Sequence, residues 1–533
     1  MPSYEELAAL VVAQAAQLGQ QAVLIEALRV EIAVLRRQVG RDSGNSSQPP
    51  SKDGLGARAK ARAEKRAREQ EAGGAGPGGD ADGGTSVGSG AVVKRKQGGQ
   101  RGHRGRGLAR VVDPAHTEAV EPPACGGCGA GLAGAPGEVG YSVQVFDLPA
   151  FALEVTEYLM MRRVCECGQA TTAQAPSQVR GGPTCYGPQV GAAAAWLASQ
   201  DVIGIERAAD MMAALLGAPV STGFVSSCLA RLDAALTTAG FEEELKAALR
   251  EQAVLGTDET PAPLTATAVA REKQDCSNPQ VFTVRTMRDY TRGWAGDPTQ
   301  DLAGDLVWYG AAGTRTKKAI TEFEILDTFA GILVRDDFGG YLSYDKQLIG
   351  VQQCLSHLLR YLDDAYDIDP GTQMWARQVA DALRTAIHTH NTARRKGTSL
   401  DQEAIARARR SFDQGVAAGI SINLSRPWHK GNHPALILAR RLKRKTDQVW
   451  LFTTRTDVPP TNNGSEAAIR GFKLAEKVQG CWRTLTTLRR HCRIRSYLVS
   501  ARNHGRRPLD AIRDAFNATP WMPPRTTRYA LAA

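Results

Sequence analysis

The sequence predicts a multidomain α/β protein, and three observations lead to this fold class. The chain has 533 residues, which is too long for one hydrophobic core, so several structural units are expected. A heptad repeat at the start and a helical periodicity over residues 352–416 indicate helices. Short apolar runs after residue 251, which end in acidic residues or in Gly and Pro, indicate the strands of a sheet.

The first element is a helix whose apolar residues follow a heptad repeat over residues 4–39. Ile25 and Ile32 occupy one core position and leucines the other, a combination that favours a parallel two-stranded coiled coil. We therefore expect residues 1–40 to form a homodimer. A single amphipathic helix that packs on the rest of the chain is the alternative.

A basic, flexible linker is predicted for residues 41–107. Residues 40–56 are rich in Ser, Pro and Gly, and residues 73–90 are Gly-rich and nearly featureless. Neither stretch offers enough apolar surface to offset the entropy lost on folding. The segment therefore separates the coiled coil from the first compact unit.

Positive charge is clustered along the chain, whose formal net charge is +11. Residues 94–106 hold six Lys or Arg and no acid, and residues 483–507 hold eight Arg and no acid. Further basic clusters lie at 58–68 and 440–445. Such clusters suit a nucleic acid, because each neutralised phosphate releases condensed counterions. A solvated surface explains any single cluster equally well, but four clusters together favour nucleic acid.

A small zinc-binding unit is predicted for residues 108–180. Two cysteine pairs with short spacings are separated by an alternating segment, residues 141–164, that predicts two strands. Thiolates in such knuckles converge on a closed tetrahedral Zn2+ site, for which a structural role is expected. Four reduced cysteines in a small core are the alternative. The predicted ligands are Cys125, Cys128, Cys165 and Cys167.

Residues 181–250 are predicted to be helical and to have the helix–turn–helix pattern of a DNA reader. Ser221 is a suitable N-cap for the helix that carries Val225 and Leu232. The same pattern is equally typical of two helices that simply pack together. DNA contact by this unit is therefore one of two open alternatives.

Two predicted strands of the following region end in acidic residues. One strand ends at Asp258 and Glu259, and another ends at Asp336 and Asp337 before a Gly-Gly turn. Two strands that both end in carboxylates can place these acids side by side if the strands are adjacent in the sheet. Because Mg2+ prefers hard oxygen ligands, two or three carboxylates form an economical catalytic metal site.

A third acid begins a predicted helix after the loop at Asn462 and Asn463. Glu466 is followed along one helical face by Arg470, Lys473 and Lys477, at offsets of four, seven and eleven residues. A phosphodiester that follows these cations would bring its scissile phosphate to Glu466. An ordinary amphipathic helix with solvated charges is the alternative.

Several motifs together resemble one known family. The segments TDETP at 257–261, the DxFxxY pattern from Asp336 to Tyr341, CLSHLLRYL at 354–362 and NNGSEAAIRGFK at 462–473 resemble the DDE transposases of the insertion-sequence family numbered sixty-six. The N-terminal coiled coil, NSSQPPSKD, GGQRGHRG and the cysteine pairs resemble the same family in the same order. The match extends over nearly the whole chain.

The resemblance implies a ribonuclease-H-like catalytic core with a helical insertion. It implies that strand-borne Asp258 and Asp336 and helix-borne Glu466 are catalytic and hold two Mg2+ or Mn2+ ions per active site. With the patterns above, the expected units are the coiled coil 1–40, the linker 41–107, the zinc unit 108–180, the helical, possibly DNA-binding unit 181–250, the first core segment 251–350, the helical insertion 351–455, the core segment with the Glu466 helix 456–505 and a tail 506–533.

The implied activity is metal-dependent cleavage at transposon ends, followed by strand transfer into target DNA. The implied partners are double-stranded DNA, as terminal inverted repeats and as target, and accessory proteins of the same element. DNA contacts are expected from Arg470, Lys473 and Lys477, from Arg483 after the helix, and from His357 and Arg360 in the CLSHLLRYL motif.

Two departures from the family pattern bear on the site. The family has Gly after the second Asp, whereas here Asp337 follows Asp336, so either residue could be the ligand. Alignment of Phe338 and Tyr341 on the family's aromatic residues favours Asp336. Ala467 also replaces a common Arg, which removes one possible phosphate contact.

Three alternatives stay open at the level of the sequence. A ribonuclease-H-like nuclease without strand transfer would use the same acids. A dimeric DNA-binding regulator with an inactive core would use only the coiled coil and the zinc unit. Cys354 and His357, with His491 and Cys492, could also form a second metal site.

No apolar run reaches the roughly 18 residues that a membrane span needs, and the start lacks the apolar region of a signal peptide. We therefore expect a cytoplasmic protein without membrane contact, associated with the bacterial nucleoid.

Overall fold

The computed structural model describes residues 14, 17, 19–21, 110–139, 141–146, 152–176, 179, 182–272, 275–287, 304–428 and 432–525. The chain divides into two compact units, Met1–Arg41 with Ala152–Ala533, and Asp42–Phe151. The basic linker lies outside the described residues, and so does the coiled coil except for Gln14, Gln17, Gly19, Gln20 and Gln21, which are helical. No helix in the described ranges is long and apolar enough to cross a membrane.

A short hairpin begins the described part of the larger unit. It pairs β1 (Arg162–Val164) with β2 (Ala170–Thr172) in antiparallel fashion. The two strands predicted across residues 141–164 are wrong except for β1, because residues 141–146 and 152–161 contain no strand. Alternation predicts a strand only where a partner covers the apolar face, and Val145 is 85% exposed.

Four helices form the next region, as the sequence predicts: α1 (Pro188–Ala198), α2 (Ile205–Leu216), α3 (Thr222–Thr238) and α4 (Phe241–Arg250). Gly217 ends α2 in a left-handed conformation (φ 60°). The Ser221 hydroxyl then caps α3 by accepting a hydrogen bond from the Phe224 N–H at 3.1 Å. Leu232 of α3 and Phe241 of α4 are fully buried in one core.

A five-stranded mixed sheet forms the centre of the chain and confirms the α/β fold class. Its strands are β3 (Val254–Pro261), β4 (Gln280–Thr286), β5 (Val307–Ala312), β6 (Ile332–Arg335) and β7 (Gly350–Gln353). The strand order is β5-β4-β3-β6-β7. The pairs β5-β4 and β4-β3 are antiparallel, whereas β3-β6 and β6-β7 are parallel. The sheet is largely buried on both faces, which explains its nearly continuous apolar strands.

Within the described ranges, three short elements connect these strands. They are α5 (Ala266–Arg271), α6 (Lys317–Thr321) and a 3-10 helix at Gly339–Tyr344. The 3-10 helix follows β6 and carries Tyr341, whose ring is buried and whose hydroxyl contacts Thr257 and Glu259 of the central strand β3.

Five helices separate β7 from the rest of the core: α7 (Leu355–Ile368), α8 (Met374–Lys396), α9 (Gln402–Leu424), α10 (Pro434–Arg444) and α11 (Thr446–Thr454). They bury a core of their own that includes Leu383, Phe412 and Trp450. The helical periodicity predicted for residues 352–416 is therefore confirmed.

The chain then returns to the sheet through α12 (Asn463–Gln479) and α13 (Leu485–Asn503). Two serines of α13 bond to β5, with Ser496 Oγ 2.8 Å from the Tyr309 N–H and Ser500 Oγ 3.0 Å from the Val307 N–H. Within the segment predicted as a tail, residues Pro508–Phe516 form α14. Its residue Ile512 is fully buried against the helical region of α1 and α3, which accounts for its folding.

Candidate active site

Two acids meet at the centre of the sheet because their strands are parallel neighbours. Asp258 lies on β3, and Asp336 directly follows the end of β6. Burial raises the pKa of Asp258 to about 7, together with the negative charges of Glu259, Glu466 and Asp336. Three other carboxylates thus act on Asp258, and two of them, Asp336 and Glu466, are far from it in the sequence.

The structure separates the two acids that follow β6. Asp336 Oδ1 accepts a hydrogen bond from the Phe338 N–H at 3.0 Å, and its charge raises the pKa of both Asp258 and Glu259. Asp337 instead forms an ion pair with Lys445 and lies 3.5 Å from Arg441 Nη1. Asp336 is therefore the acid that joins the cluster, whereas Asp337 contacts cations of the helical insertion.

Helix α12 is anchored so that Glu466, in its first turn, faces the strand-borne acids. The side-chain amide of Asn462 donates to the Thr257 carbonyl oxygen at 2.6 Å, and Arg285 Nη1 donates to the Gly464 carbonyl oxygen at 3.0 Å. Gly256 of β3 lets the helix approach closely. A Cβ atom there would lie 2.6 Å from Ser465 Oγ.

We expect Gly256→Ala to destabilise the protein, because the added methyl would also lie 2.5 Å from Met287 Sδ. Overpacking of this kind costs about 1–3 kcal/mol, so the thermal unfolding midpoint should fall. Gly339→Ala is the matched control, since its Cβ would meet nothing within 4 Å. Equal midpoints for the two variants would show that β3 and α12 are not packed as described.

One oxygen of Glu466 lies beside two residues of the motif at the start of α7. Glu466 Oε1 is 3.9 Å from Cys354 Sγ and 3.5 Å from His357 Nδ1. Of the residues that the structure describes, Cys354, His357 and Glu466 are the one group of three with the geometry to hold a metal ion. His491 lies elsewhere, 3.6 Å from Asp201 Oδ1, so the second metal site that would join both His-Cys pairs is not formed.

Glu259 is a member of the cluster that sequence reasoning did not assign. Its side chain is 3% exposed and accepts hydrogen bonds from Tyr341 Oη at 2.5 Å and from Arg315 Nε at 3.0 Å. Burial and the charge of Asp336 raise its pKa, although Tyr341 and Arg315 act in the opposite direction. Strand alternation gave no signal for Glu259, because it places adjacent acids on opposite faces of a sheet, and the partners Tyr341 and Arg315 lie on other elements.

The predicted cationic face of α12 is exposed along its length. Arg470, Lys473 and Lys477 are exposed, whereas Phe472 and Ala475 on the other side are buried. Arg360 and Arg483 are also exposed, and His357 is partly buried beside Glu466.

Three of the eight arginines of the cluster at 483–507 are partly buried and paired with acids, whereas the other five are exposed. Arg493 pairs with Asp233 and Glu242, and Arg495 Nη2 lies 2.9 Å from Asp201 Oδ2. These ion pairs fasten α13 to the helical region. A structural role thus explains the paired arginines of the cluster, whereas the exposed ones remain available to a nucleic acid.

We expect Arg470→Ala combined with Lys473→Ala to weaken DNA binding by a similar factor for all sequences. Removing two phosphate contacts should reduce the slope of log K against log salt by about 2. Filter binding over a range of salt concentrations measures this slope. Lys318→Ala, which removes an exposed lysine of α6, is the control and should leave the slope unchanged. An unaltered slope in the double variant would exclude this face as a DNA contact.

Each predicted cysteine pair forms a knuckle of its own. The Cys125 carbonyl accepts the Gly129 N–H at 2.9 Å, and the Cys165 carbonyl accepts the Gly168 N–H at 2.8 Å. Hydrogen bonds from the backbone N–H groups of Cys128 and Gly127 lower the pKa of Cys125, and those of Cys167 lower the pKa of Cys165. Such N–H···S bonds stabilise thiolates, the form that binds Zn2+.

The acid cluster fits the divalent metal that the resemblance implies. Its donors are carboxylate oxygens, the ligands that Mg2+ prefers. Burial and the neighbouring negative charges raise the pKa of Asp258, and a bound cation would offset those charges. The resemblance implies Asp258, Asp336 and Glu466 as its ligands, although their oxygens are not gathered as closely as the donor atoms of Cys354, His357 and Glu466.

Fold and site together define an α/β enzyme-like protein with an acidic centre beside a cationic helix. A family model described as Transposase IS66 family matches residues 183–490, which is more than half of the chain. The chain therefore belongs to the IS66 family of transposases and is a DNA-processing enzyme, as the sequence resemblance indicated. A comparison with curated proteins finds no match.

Proposed function

We propose that this transposase is of the DDE type, with a ribonuclease-H-like core, and that it cleaves DNA at transposon ends and transfers the freed strand into target DNA. The observation that carries the proposal is the convergence of Asp258, Asp336 and Glu466 from β3, β6 and α12. The insertion of five helices between β7 and α12 agrees with the organisation that the resemblance implies.

Asp258, Asp336 and Glu466 hold divalent metal in this proposal. Two Mg2+ or Mn2+ ions, when bound, supply activation of the nucleophile and stabilisation of the leaving oxygen. Asp258 occupies the centre, since the charges of both other acids act on it. No separate protein nucleophile is required, because water or a DNA 3′-hydroxyl attacks the phosphate.

Residues around the acids orient the cluster and the DNA. Tyr341 and Arg315 fix Glu259 beside Asp336, and Asn462 fixes the start of α12. Arg470, Lys473 and Lys477 bind the phosphodiester backbone that leads to Glu466. Arg360 and Arg483 add phosphate contacts, and His357 positions Glu466.

Two further parts of the proposal concern the N-terminal region. Cys125, Cys128, Cys165 and Cys167 hold a structural Zn2+, and the low pKa of Cys125 and Cys165 supports thiolate ligation. The heptads of residues 1–40 form a homodimer that brings two transposon ends together. Accessory proteins of the same element are further partners, and the protein acts at the bacterial nucleoid in the cytoplasm.

A strand-transfer assay tests the function. Duplexes of the inverted repeats that flank the gene are labelled and incubated with a target plasmid, with either a 3′-hydroxyl or a 3′-deoxy end. We expect joined products only with the 3′-hydroxyl end and only with Mg2+ or Mn2+. Cleavage without joining would instead identify a nuclease, and metal-independent binding without cleavage would identify a DNA-binding regulator.

A further inference from the structure

We propose that Cys354, His357 and Glu466 form a second metal site that binds a thiophilic divalent ion of the Zn2+ class, and that this ion competes with Mg2+ for Glu466. The second half of the proposal rests on the proposed function, whereas the metal binding itself does not. The two halves are tested separately below.

The donor atoms of the three side chains already lie together. Cys354 Sγ, His357 Nδ1 and a carboxylate oxygen of Glu466 are all within 4.8 Å of one another. Each offers one ligand atom, so small side-chain shifts suffice to close them around an ion. Three protein ligands leave a fourth position open, as in zinc sites that accept water or substrate.

Cys354 is buried, and hydrogen bonds hold both its backbone and its sulfur. Its side chain is 1% exposed, and its backbone N–H donates to the Arg335 carbonyl oxygen at 2.8 Å. Backbone N–H groups of Asn462, Ser356 and His357 donate to its sulfur at the start of α7. These donors fix the sulfur at the start of α7, 3.9 Å from Glu466 Oε1.

His357 supplies a buried ring nitrogen that makes no hydrogen bond. This atom, Nδ1, lies 3.5 Å from Glu466 Oε1. A buried polar atom without a partner is costly, and a metal ion would satisfy it. Cys354 and His357 are three residues apart at the start of α7, a spacing that keeps both on one side of the helix.

The chemistry of the three donors selects the ion. Thiolate and imidazole favour Zn2+ and similar soft or borderline ions, whereas Mg2+ prefers oxygen ligands only. Glu466 belongs both to this group and to the acid cluster, because its charge also acts on Asp258. An ion held by Cys354 and His357 therefore also binds Glu466, which is a ligand of the proposed Mg2+ centre. We therefore expect Zn2+ to inhibit DNA cleavage.

The binding half is tested with Co2+ as a spectroscopic substitute for Zn2+. The full chain, freed of metal, is titrated with Co2+ while the sulfur-to-cobalt charge-transfer absorption is recorded. We expect the wild type to bind one more equivalent than Cys354→Ser and than His357→Gln, and Zn2+ to displace it. Cys276→Ser removes another buried thiol and should match the wild type.

Equal Co2+ stoichiometry in all four proteins would overturn the site. The His357→Gln variant keeps the test decisive if Cys354→Ser does not fold. The count is relative to the wild type, so Co2+ bound at the four N-terminal cysteines cancels.

The competition half is tested by end cleavage at fixed Mg2+ with increasing Zn2+. We expect cleavage by the wild type to fall by about tenfold or more, the range that disturbing a metal ligand produces, and Cys354→Ser to resist. Equal inhibition of both proteins would overturn the competition and leave the site standing. A wild type that binds the extra Co2+ but never cleaves would instead refute the proposed function.

Discussion

Asp258→Asn should reduce Mg2+-dependent end cleavage by more than about 100-fold, because it removes a ligand rather than a partner of a ligand. The amide keeps the size of the side chain but not its charge. Asp258 is the acid on which Glu259, Glu466 and Asp336 all act, so no neighbour can take its place. Cleavage of labelled transposon ends, followed on a denaturing gel, measures the effect.

The same assay ranks the other acids. Asp336→Asn and Glu466→Gln should lose activity as strongly as Asp258→Asn. Asp337→Asn should lose much less, since Asp337 contacts Lys445 and Arg441 rather than the cluster. Retained DNA binding and an unchanged circular dichroism spectrum are the controls. The assignment would be refuted if Asp337→Asn were inactive while Asp336→Asn kept its activity.

The choice between Asp336 and Asp337 shows where sequence reasoning ends. Both acids follow the same apolar strand, and only the alignment of Phe338 and Tyr341 on the family's aromatic residues favours Asp336. Their difference depends on Lys445 and Arg441, which are more than a hundred residues later in the chain. Such partners are fixed by tertiary packing and leave no local signal.

The helices and the central strands were predictable because each follows a strong local pattern. The α3 cap at Ser221 and the apolar strand before Asp258 are examples. The order of the strands was not predictable from periodicity, because pairing is decided between distant segments. The strands expected across residues 141–164 failed for the same reason, since alternation does not say whether a partner exists.

Charge patterns were the least reliable guide. The exposed face of Arg470 and Lys473 follows from helical spacing alone. The arginines at 483–507 have an equally strong pattern, yet Arg493 and Arg495 are paired with acids of the helical region. Whether a cation is exposed or paired depends on the surface packed against it. Glu259 was missed because its partners Tyr341 and Arg315 lie on other elements.

Asp258→Asn should also stabilise the metal-free protein at pH 8, which is the second large effect that we expect. Folding raises the pKa of Asp258 from 3.8 to about 7. Between these values the folded state binds more protons than the unfolded state, so stability falls as the pH rises. Above pH 7 the folded protein bears the full free-energy cost of ionising Asp258. Because one pKa unit corresponds to about 1.4 kcal/mol, this cost has an upper limit of about 4 kcal/mol.

The measurement is the thermal unfolding midpoint between pH 4 and pH 8, after dialysis into metal-free buffer. The variant and the wild type should be similar near pH 4, and the variant should become increasingly more stable towards pH 8. Asp201→Asn is the opposite control. Burial raises the pKa of Asp201, but His491 and Arg495 outweigh it, so the pKa is lowered and this variant should lose stability above pH 4.

Addition of Mg2+ distinguishes an acid that binds metal from a buried acid that does not. A cation that binds only the folded state raises stability by mass action, so Mg2+ should raise the midpoint of the wild type at pH 8. Asp258→Asn should lose this increase together with its catalytic activity. The same carboxylate thus lowers stability without metal and is required for metal binding, as expected for residues that are kept for function. A wild type that is no less stable than Asp258→Asn at pH 8 without metal would contradict the cost of burying the charged Asp258 carboxylate beside other acids.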